Sequence, residues 1–224
     1  MSWHIIGETS LDISVFIYFI WFIPQLRLTF KRKSTEGLSL WMHGFLIAGY
    51  LADLVYGFGR ELPIQYRMVT IVGLVCLACE HFQFWRYGLK TNIAKKTFYL
   101  FNAVLISFLI YAVATITVLK ETEFFYDLAG VTSSACWFVF FIPQIIKNYR
   151  SKSTESLSTS FVVLSLFTTI LDTISTYALG YPWPSKIGVP MTLFKKSLLL
   201  GQCYYYRDKD RESKQWVMRK IRIG

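Results

Sequence analysis

The sequence predicts an all-α integral membrane protein: seven transmembrane helices, arranged as two parallel three-helix repeats joined by a linker helix (3+1+3). Three observations predict it. Of 224 residues, 54% are hydrophobic and only 17% charged, too apolar and too sparsely charged for a soluble domain of this length. The string Phe22-Ile23-Pro24-Gln25, followed by Ser34-Thr35-Glu36 and Leu38-Ser39, returns 119 residues later as Phe141-Ile142-Pro143-Gln144, Ser153-Thr154-Glu155 and Leu157-Ser158. Cations gather in every second loop between the apolar stretches.

Each span is expected where the chain approaches the roughly 20 apolar residues that cross a bilayer. The first, about 11–30, carries Pro24 late in its length. The second, about 39–58, opens at Ser39, whose hydroxyl can cap free helix N–H groups, and holds Asp53. The third, about 64–86, follows Pro63 and holds Glu80, His81 and Gln83. The fourth, about 97–119, contains Asn102 and has no counterpart elsewhere in the chain. The fifth, about 127–148, repeats the late proline as Pro143. The sixth, about 159–179, follows Ser158 and repeats the acid as Asp172. The seventh, about 187–206, carries Lys195, Lys196 and Gln202.

The same register of 119 relates Asp53 to Asp172, Pro63 to Pro182, Gln83 to Gln202, Trp85 to Tyr204 and Tyr87 to Tyr206. The chain therefore divides into a first repeat at 1–88, a linker with the fourth span at 89–125, a second repeat at 126–206 and a basic tail at 207–224. Three spans leave the chain on the side opposite to its start, and a fourth returns it. The second repeat then enters in the orientation of the first, with a path between the two. One chain holds both halves of such a path, which leaves the oligomeric state open.

The net charge of +10 raises the question of nucleic acid, but its distribution answers for a membrane. Arg27, Lys31, Arg32 and Lys33 follow the first span, Arg86, Lys90, Lys95 and Lys96 the third, and Lys147, Arg150 and Lys152 the fifth. The intervening loops are poor in cations, and one clusters Glu121, Glu123 and Asp127. By the positive-inside rule the N-terminus lies outside or in a lumen and the C-terminus in the cytoplasm. The basic tail is expected to rest on anionic lipid, with no nucleic-acid partner. No cleavable leader is expected, since the first ten residues lack a basic start and carry Glu8. Cys76, Cys79, Cys136 and Cys203 all fall in predicted spans, where they read as packing residues. No catalytic triad, metal cluster or phosphate-binding glycine loop is visible, so neither an enzyme nor a cofactor is expected.

Pro24 and Pro143 each remove one backbone donor and kink the helix. Gln25 and Gln144 can donate to the carbonyls so freed, which makes each kink a repairable hinge for a gate, or else a static bend. Asp53 and Asp172 stand toward the outer ends of their spans. A charge in the bilayer costs at least about 2.5–3.5 kcal/mol, so such a group faces a cavity, a partner or the interfacial water. Tyr50 and Tyr56 flank Asp53, and Thr168, Thr169 and Ser175 flank Asp172, at helical spacing. As functional groups the two acids bind a substrate ammonium or carry a coupled proton. Lys195 and Lys196 sit too deep for comfortable snorkelling, and only one of two adjacent helical residues can face a central path. One of them holds a substrate carboxylate, or an ion pair with Asp172, Asp53 or Glu80 locks the repeats. Glu80, His81 and Asn102 are further candidates for proton or substrate contact, with interhelical hydrogen bonding as the plainer role.

The doubled FIPQ and KSTEGLS/KSTESLS strings, with the 3+1+3 helix count, resemble the PQ-loop family of membrane proteins across nearly the whole chain. That family includes lysosomal exporters of cystine and of cationic amino acids, and it is similar in architecture to the SWEET sugar transporters and the KDEL receptor. The resemblance implies amino-acid transport by alternating access, often proton-coupled, with the family prolines and glutamines at Pro24, Gln25, Pro143 and Gln144. It also matches Lys186 to a lysine of the cystine exporter. That exporter's last-span carboxylate and its glycosylated luminal domain have no counterpart here: Lys195, Lys196 and Ser197 stand near the first, and about ten residues precede the first span. The expected partners are thus a small amino acid, protons and the lipid bilayer, in a lysosome- or vacuole-like membrane or a bacterial inner membrane. A sugar uniporter and a non-transporting receptor or scaffold on the same fold are the alternatives.

Overall fold

A computed structural model of the chain describes residues 2–89, 95–119 and 122–207, and every regular element among them is helical. The basic residues 208–224, part of the polar linker (90–94) and Lys120 with Glu121 lie outside the described residues.

Helix α1 spans Trp3–Trp21 and starts at Ser2, whose hydroxyl accepts from Ile5 N–H. It begins well before the expected residue 11. Glu8 and Asp12 dilute the apolar signal there, but backbone bonding and a cap suffice to extend a helix. The chain breaks at Phe22, and α2, Ile23–Arg32, opens with Pro24 in its first turn. A proline at that position costs no ladder bond, because the first-turn N–H groups have no intrahelical acceptor. Lys33 closes α2 in the left-handed conformation at φ 50°. Helix α3, Leu40–Gly59, starts at Ser39, which accepts from Met42 N–H. Helix α4, Ile64–Gln83, follows Pro63 and runs on as a π-turn over Phe84–Gly88. Helix α5, Lys95–Ala114, ends in a second π-turn over Thr115–Leu119.

The second half repeats the pattern. Helix α6 is Glu123–Val139, and α7, Ile142–Ser151, opens with Pro143 and closes at Lys152 with φ 52°. Helix α8, Thr159–Ala178, is capped by Ser158, which accepts from Phe161 N–H. Helix α9, Trp183–Met191, holds Pro190 in its last turn; the chain turns at Thr192 and continues as α10, 193–207.

Five helical stretches are long and apolar enough to cross a membrane: Trp3–Arg32, Ile64–Gly88, Lys95–Thr117, Glu123–Ser151 and Thr159–Ala178. The other two expected spans are helical but differ in kind. His43 and Asp53 lower the hydropathy of α3, and the break at Thr192 divides the last span into α9 and α10.

The most extensive helix packing crosses between the halves, α3 against α6 and α1 against α8. Small residues permit it: a Cβ on Gly7 would meet Ala178 Cβ at 2.6 Å, and one on Gly130 would meet the Tyr56 ring at 2.8 Å. The centre is aromatic. Phe22 and Phe141 of the doubled motif are both buried, and Trp21 stacks on Phe161 at 5.0 Å. At the end opposite the basic loops, Arg60 joins the end of α3 to the start of α6 through Glu123 at 2.7 Å and Asp127 at 3.4 Å. The Glu123 hydrogen bond holds the Arg60 guanidinium above its ordinary pKa. Helix α5 packs against α3 and leaves most of its apolar surface, including Leu100, Ile106 and Ile110, exposed for lipid.

Candidate functional site

A cavity of about 90 Å³ lies between the two halves, walled by α1, α3 and α4 from one and α6, α8, α9 and α10 from the other. Its charged wall residues are Asp53, Asp172 and Lys196, so two carboxylates face one ammonium. Asp53 is 8% exposed, which separates it from an ordinary solvated interfacial acid.

Both carboxylates are held from the opposite half. Asp53 Oδ1 accepts from Ser133 at 2.5 Å and from Tyr66 at 2.6 Å, and its Oδ2 accepts from the Trp137 indole at 2.7 Å. Asp172 Oδ1 accepts from Ser14, and its Oδ2 from Tyr18 at 2.7 Å. Ser14 and Ser133 are related by the repeat register, as are Tyr18 and Trp137. Within each pair the residues are four apart and share one helix face. The first helix of each half thus grips the acid of the other. The local neighbours expected to serve the acids turn elsewhere: Tyr56 pairs with Ser185 at 3.2 Å, while Thr168 and Thr169 donate to Ser165 O at 2.9 and 3.0 Å. Neighbours on the same helix compete with their own backbone for the hydroxyl, whereas a facing helix presents its hydroxyls directly.

The paired lysines separate as their 100° offset requires. Lys196 lines the cavity and donates to Ser165 O at 2.9 Å and to Thr169 Oγ1. Lys195 turns away and sets its ammonium 3.0 Å over the Phe138 ring. Neither forms an ion pair among the described residues, so the inter-repeat salt lock is not present. The counterparts of Lys195 and Lys196 in the first half are Cys76 and Leu77, which makes the cation a one-sided addition to a near-symmetric wall. Tyr50 and Tyr181 also line the cavity, with hydroxyls that have no hydrogen-bond partner. Lys186 of α9 lies outside it, and its carbonyl accepts from Tyr177 at 2.8 Å.

Gln25 and Gln144 do not repair the kinks of their own helices. Gln25 reaches the loop of the second half, accepting from Ser158 N–H at 2.8 Å and donating to Ser156 O at 3.1 Å. Gln144 makes the matching pair with Ser39 N–H at 2.9 Å and Gly37 O at 2.9 Å. A side-chain amide offers one acceptor and one donor side by side, which suits a backbone N–H and C=O two residues apart. Pro24 and Pro143 start α2 and α7 and so place these glutamines in the first turn, facing across. Each glutamine is at most 1% exposed. The two clasps lie at the basic-loop end of the molecule, where Lys147 also donates to Leu38 O at 2.6 Å.

Glu80 and Asn102 belong to neither arrangement. With His43 and His81 they form a separate buried line within α3, α4 and α5. His43 was not visible as a candidate from the sequence, because its counterpart is Val162 and the repeat register gives it no echo. Ser14, Tyr18, Ser133 and Trp137 did carry a signal: a polar pair four residues apart, in the same register as the acids.

The PQ loop repeat model matches residues 6–66 and 125–185, two segments offset by the same 119 residues as the doubled motif. The chain belongs to the PQ-loop repeat family. Among relatives of this PQ-loop protein, the vacuolar histidine transporter YPQ3 of Saccharomyces cerevisiae is 35% identical over 86 residues, 38% of this chain and 29% of that protein. The vacuolar lysine transporter YPQ1 of the same yeast is 30% identical over 84 residues, 38% of this chain and 27% of that protein. The matched segments span less than a third of either yeast protein. In fold, the PQ-loop protein is similar to a eukaryotic SWEET transporter, with a TM-score of 0.67 at 16% identity over 92% of this chain and 99% of that one.

Proposed function

We propose that this PQ-loop protein is a secondary transporter that moves a cationic amino acid across a vacuole- or lysosome-type membrane by alternating access, coupled to protons. The observation that carries the reading is the charge of the cavity between the halves: Asp53 and Asp172 against Lys196. Lys196 takes the substrate carboxylate and Asp172 the α-ammonium. That leaves one negative charge on the wall for a cationic side chain, with the Tyr50 and Tyr181 hydroxyls free to complete the polar contacts. The names of the two yeast relatives, transporters of histidine and of lysine, support the substrate class.

In this reading the chain crosses the membrane seven times as 3+1+3, with its basic loops in the cytoplasm and its N-terminus in the lumen. The crossed glutamine clasps close the cytoplasmic end. Opening that end exchanges the bonds of Gln25 and Gln144 while the chain bends at Phe22–Pro24 and Phe141–Pro143. A neutral sugar would leave all three wall charges unmet, and the likeness to a SWEET transporter at 16% identity concerns the fold alone.

Counterflow in proteoliposomes tests the proposal. Labelled lysine, arginine, histidine and glucose are offered to vesicles preloaded with the unlabelled solute. The reading requires flux of a basic amino acid, lost in Asp172→Asn. Glucose flux alone supports the sugar reading, and absence of flux from folded protein, with binding of a peptide or protein instead, supports a receptor.

A further inference from the structure

Glu80, His43, His81 and Asn102 form a continuous hydrogen-bonded line away from the cavity. Glu80 Oε2 lies 3.0 Å from His43 Nδ1, His43 Nε2 lies 3.2 Å from His81 Nδ1, and His81 Nε2 lies 2.6 Å from Asn102 Oδ1. Asn102 Nδ2 donates to Phe98 O at 2.9 Å, which fixes its Oδ1 as the acceptor that faces His81. His81 Nε2 therefore carries a hydrogen.

The remaining protons follow from counting. The line has three contacts, and each needs one hydrogen. Two neutral imidazoles beside an ionised Glu80 supply only two. One contact would then set two lone pairs face to face in an apolar, aromatic environment. A third proton satisfies all three contacts, whether it rests on Glu80, on His43 or on His81, and it brings the line to zero net charge. The observed geometry is that of the proton-loaded state. His43 and Glu80 are 0% and 2% exposed, while His81 is half-buried and offers the way in.

No other ionised group satisfies the line. Helix α3 contributes His43, α4 contributes Glu80, His81 and the nearby thiols Cys76 and Cys79, and α5 contributes Asn102. Lys95 and Lys96 at the start of α5 are exposed, and Lys147 of α7 is engaged at Leu38 O. Phe84 and Phe98 pack on the imidazoles at 4.9 and 5.0 Å. The nitrogens and oxygens meet in a line and do not converge on a point, so the arrangement suits a proton and not a metal ion. The second half has no such line: the counterparts of His43, Glu80 and His81 are Val162, Leu199 and Leu200.

We infer that the Glu80–His43–His81 line is a one-proton binding site of the first half, separate from the carboxylate cavity, and that it carries the proton that moves with the substrate. Release of that proton to water breaks one of the three contacts. It thereby loosens α5 from α3 and α4, because Asn102 is the polar group through which α5 joins the line. The coupling role rests on the transport reading above; the proton site itself does not.

The test uses Glu80→Gln, which keeps a hydrogen-bonding group beside His43 and removes the ionisable one, with His43→Gln as a second variant. Purified full-length protein in micelles is titrated with ¹⁵N-histidine NMR. Wild type is expected to show His43 and His81 shifting in one joint step, lost in Glu80→Gln. Imidazoles that stay neutral throughout, in folded wild type, overturn the site. In proteoliposomes, both variants are expected to keep counterflow at equal pH and to lose the acceleration of lysine uptake by an acid-outside gradient. Variants accelerated like wild type overturn the coupling role. A joint titration with no flux of any solute in wild type means that the transport reading has failed while the site stands.

Discussion

Gln25 Oε1 accepts the backbone N–H of Ser158 at 2.8 Å, so the motif glutamine of one half fixes the start of α8 in the other. Gln144 treats Ser39 in the same way at 2.9 Å. Replacing either by leucine leaves a buried N–H and a buried C=O unpaired at a helix start. Each unpaired group costs about 1–3 kcal/mol, so Gln25→Leu and Gln144→Leu are expected to lower the melting temperature in detergent by similar amounts. A wild-type melting curve for either variant would refute the clasp.

Asp53 and Asp172 differ in how many donors hold them, three against two. In Asp53→Asn an amide NH₂ replaces one acceptor, and the Trp137 indole, which can only donate, competes for the oxygen that remains. This change is expected to reduce stability by about 1–3 kcal/mol. Asp172→Asn faces two hydroxyls, which can turn to accept, and is expected to fold normally while losing amino-acid flux. Denaturation curves of the two variants in one detergent check the order.

Lys196 and Lys195 are expected to separate in function. Lys196→Met removes the carboxylate partner and should abolish lysine uptake, yet it leaves Asp53 and Asp172 to bind a diamine without a carboxylate. Cadaverine should therefore bind the variant at least as tightly as wild type. Lys195→Met, which loses a contact with Phe138 worth about 0.5–2 kcal/mol, should transport at the wild-type rate. Equal loss of uptake in both variants would refute the assignment.

Arg60 bridges the halves at the end opposite the clasps, but Glu123 is largely exposed and the pair is accessible to salt. Arg60→Ala is expected to cost no more than about 1 kcal/mol, and the cost should shrink in molar salt. A large loss of stability that salt does not change would show that the bridge is more than a surface pair.

The repeat made much of the fold legible. A register of 119 residues related the prolines, glutamines and acids of the two halves before any helix was placed, and the same register relates the two segments that match the family model. It could not say which half each side chain would touch. Asp53 reads on its own helix as a neighbour of Tyr50 and Tyr56, yet its donors come from α4 and α6, because helix faces and not sequence neighbours decide contact in a bundle. The choice between Lys195 and Lys196 turns on 100° of helix rotation, which the break at Thr192 sets and local sequence does not. His43 stayed hidden for another reason. A lone histidine in an apolar helix signals nothing until Glu80 and His81, one helix away, are seen to face it.

The crossed bonding has a consequence for synthesis. Ser133 and Trp137 lie 80 and 84 residues beyond Asp53 in the chain. At roughly 5–20 residues per second, the ribosome needs about 4–17 s to make them. For that interval Asp53 enters the bilayer with Tyr66 as the one donor of its observed set already made, and the loop at Gly37–Ser39 waits longer still for Gln144. The first half is thus born unfinished, and insertion of α6 and α7 completes it.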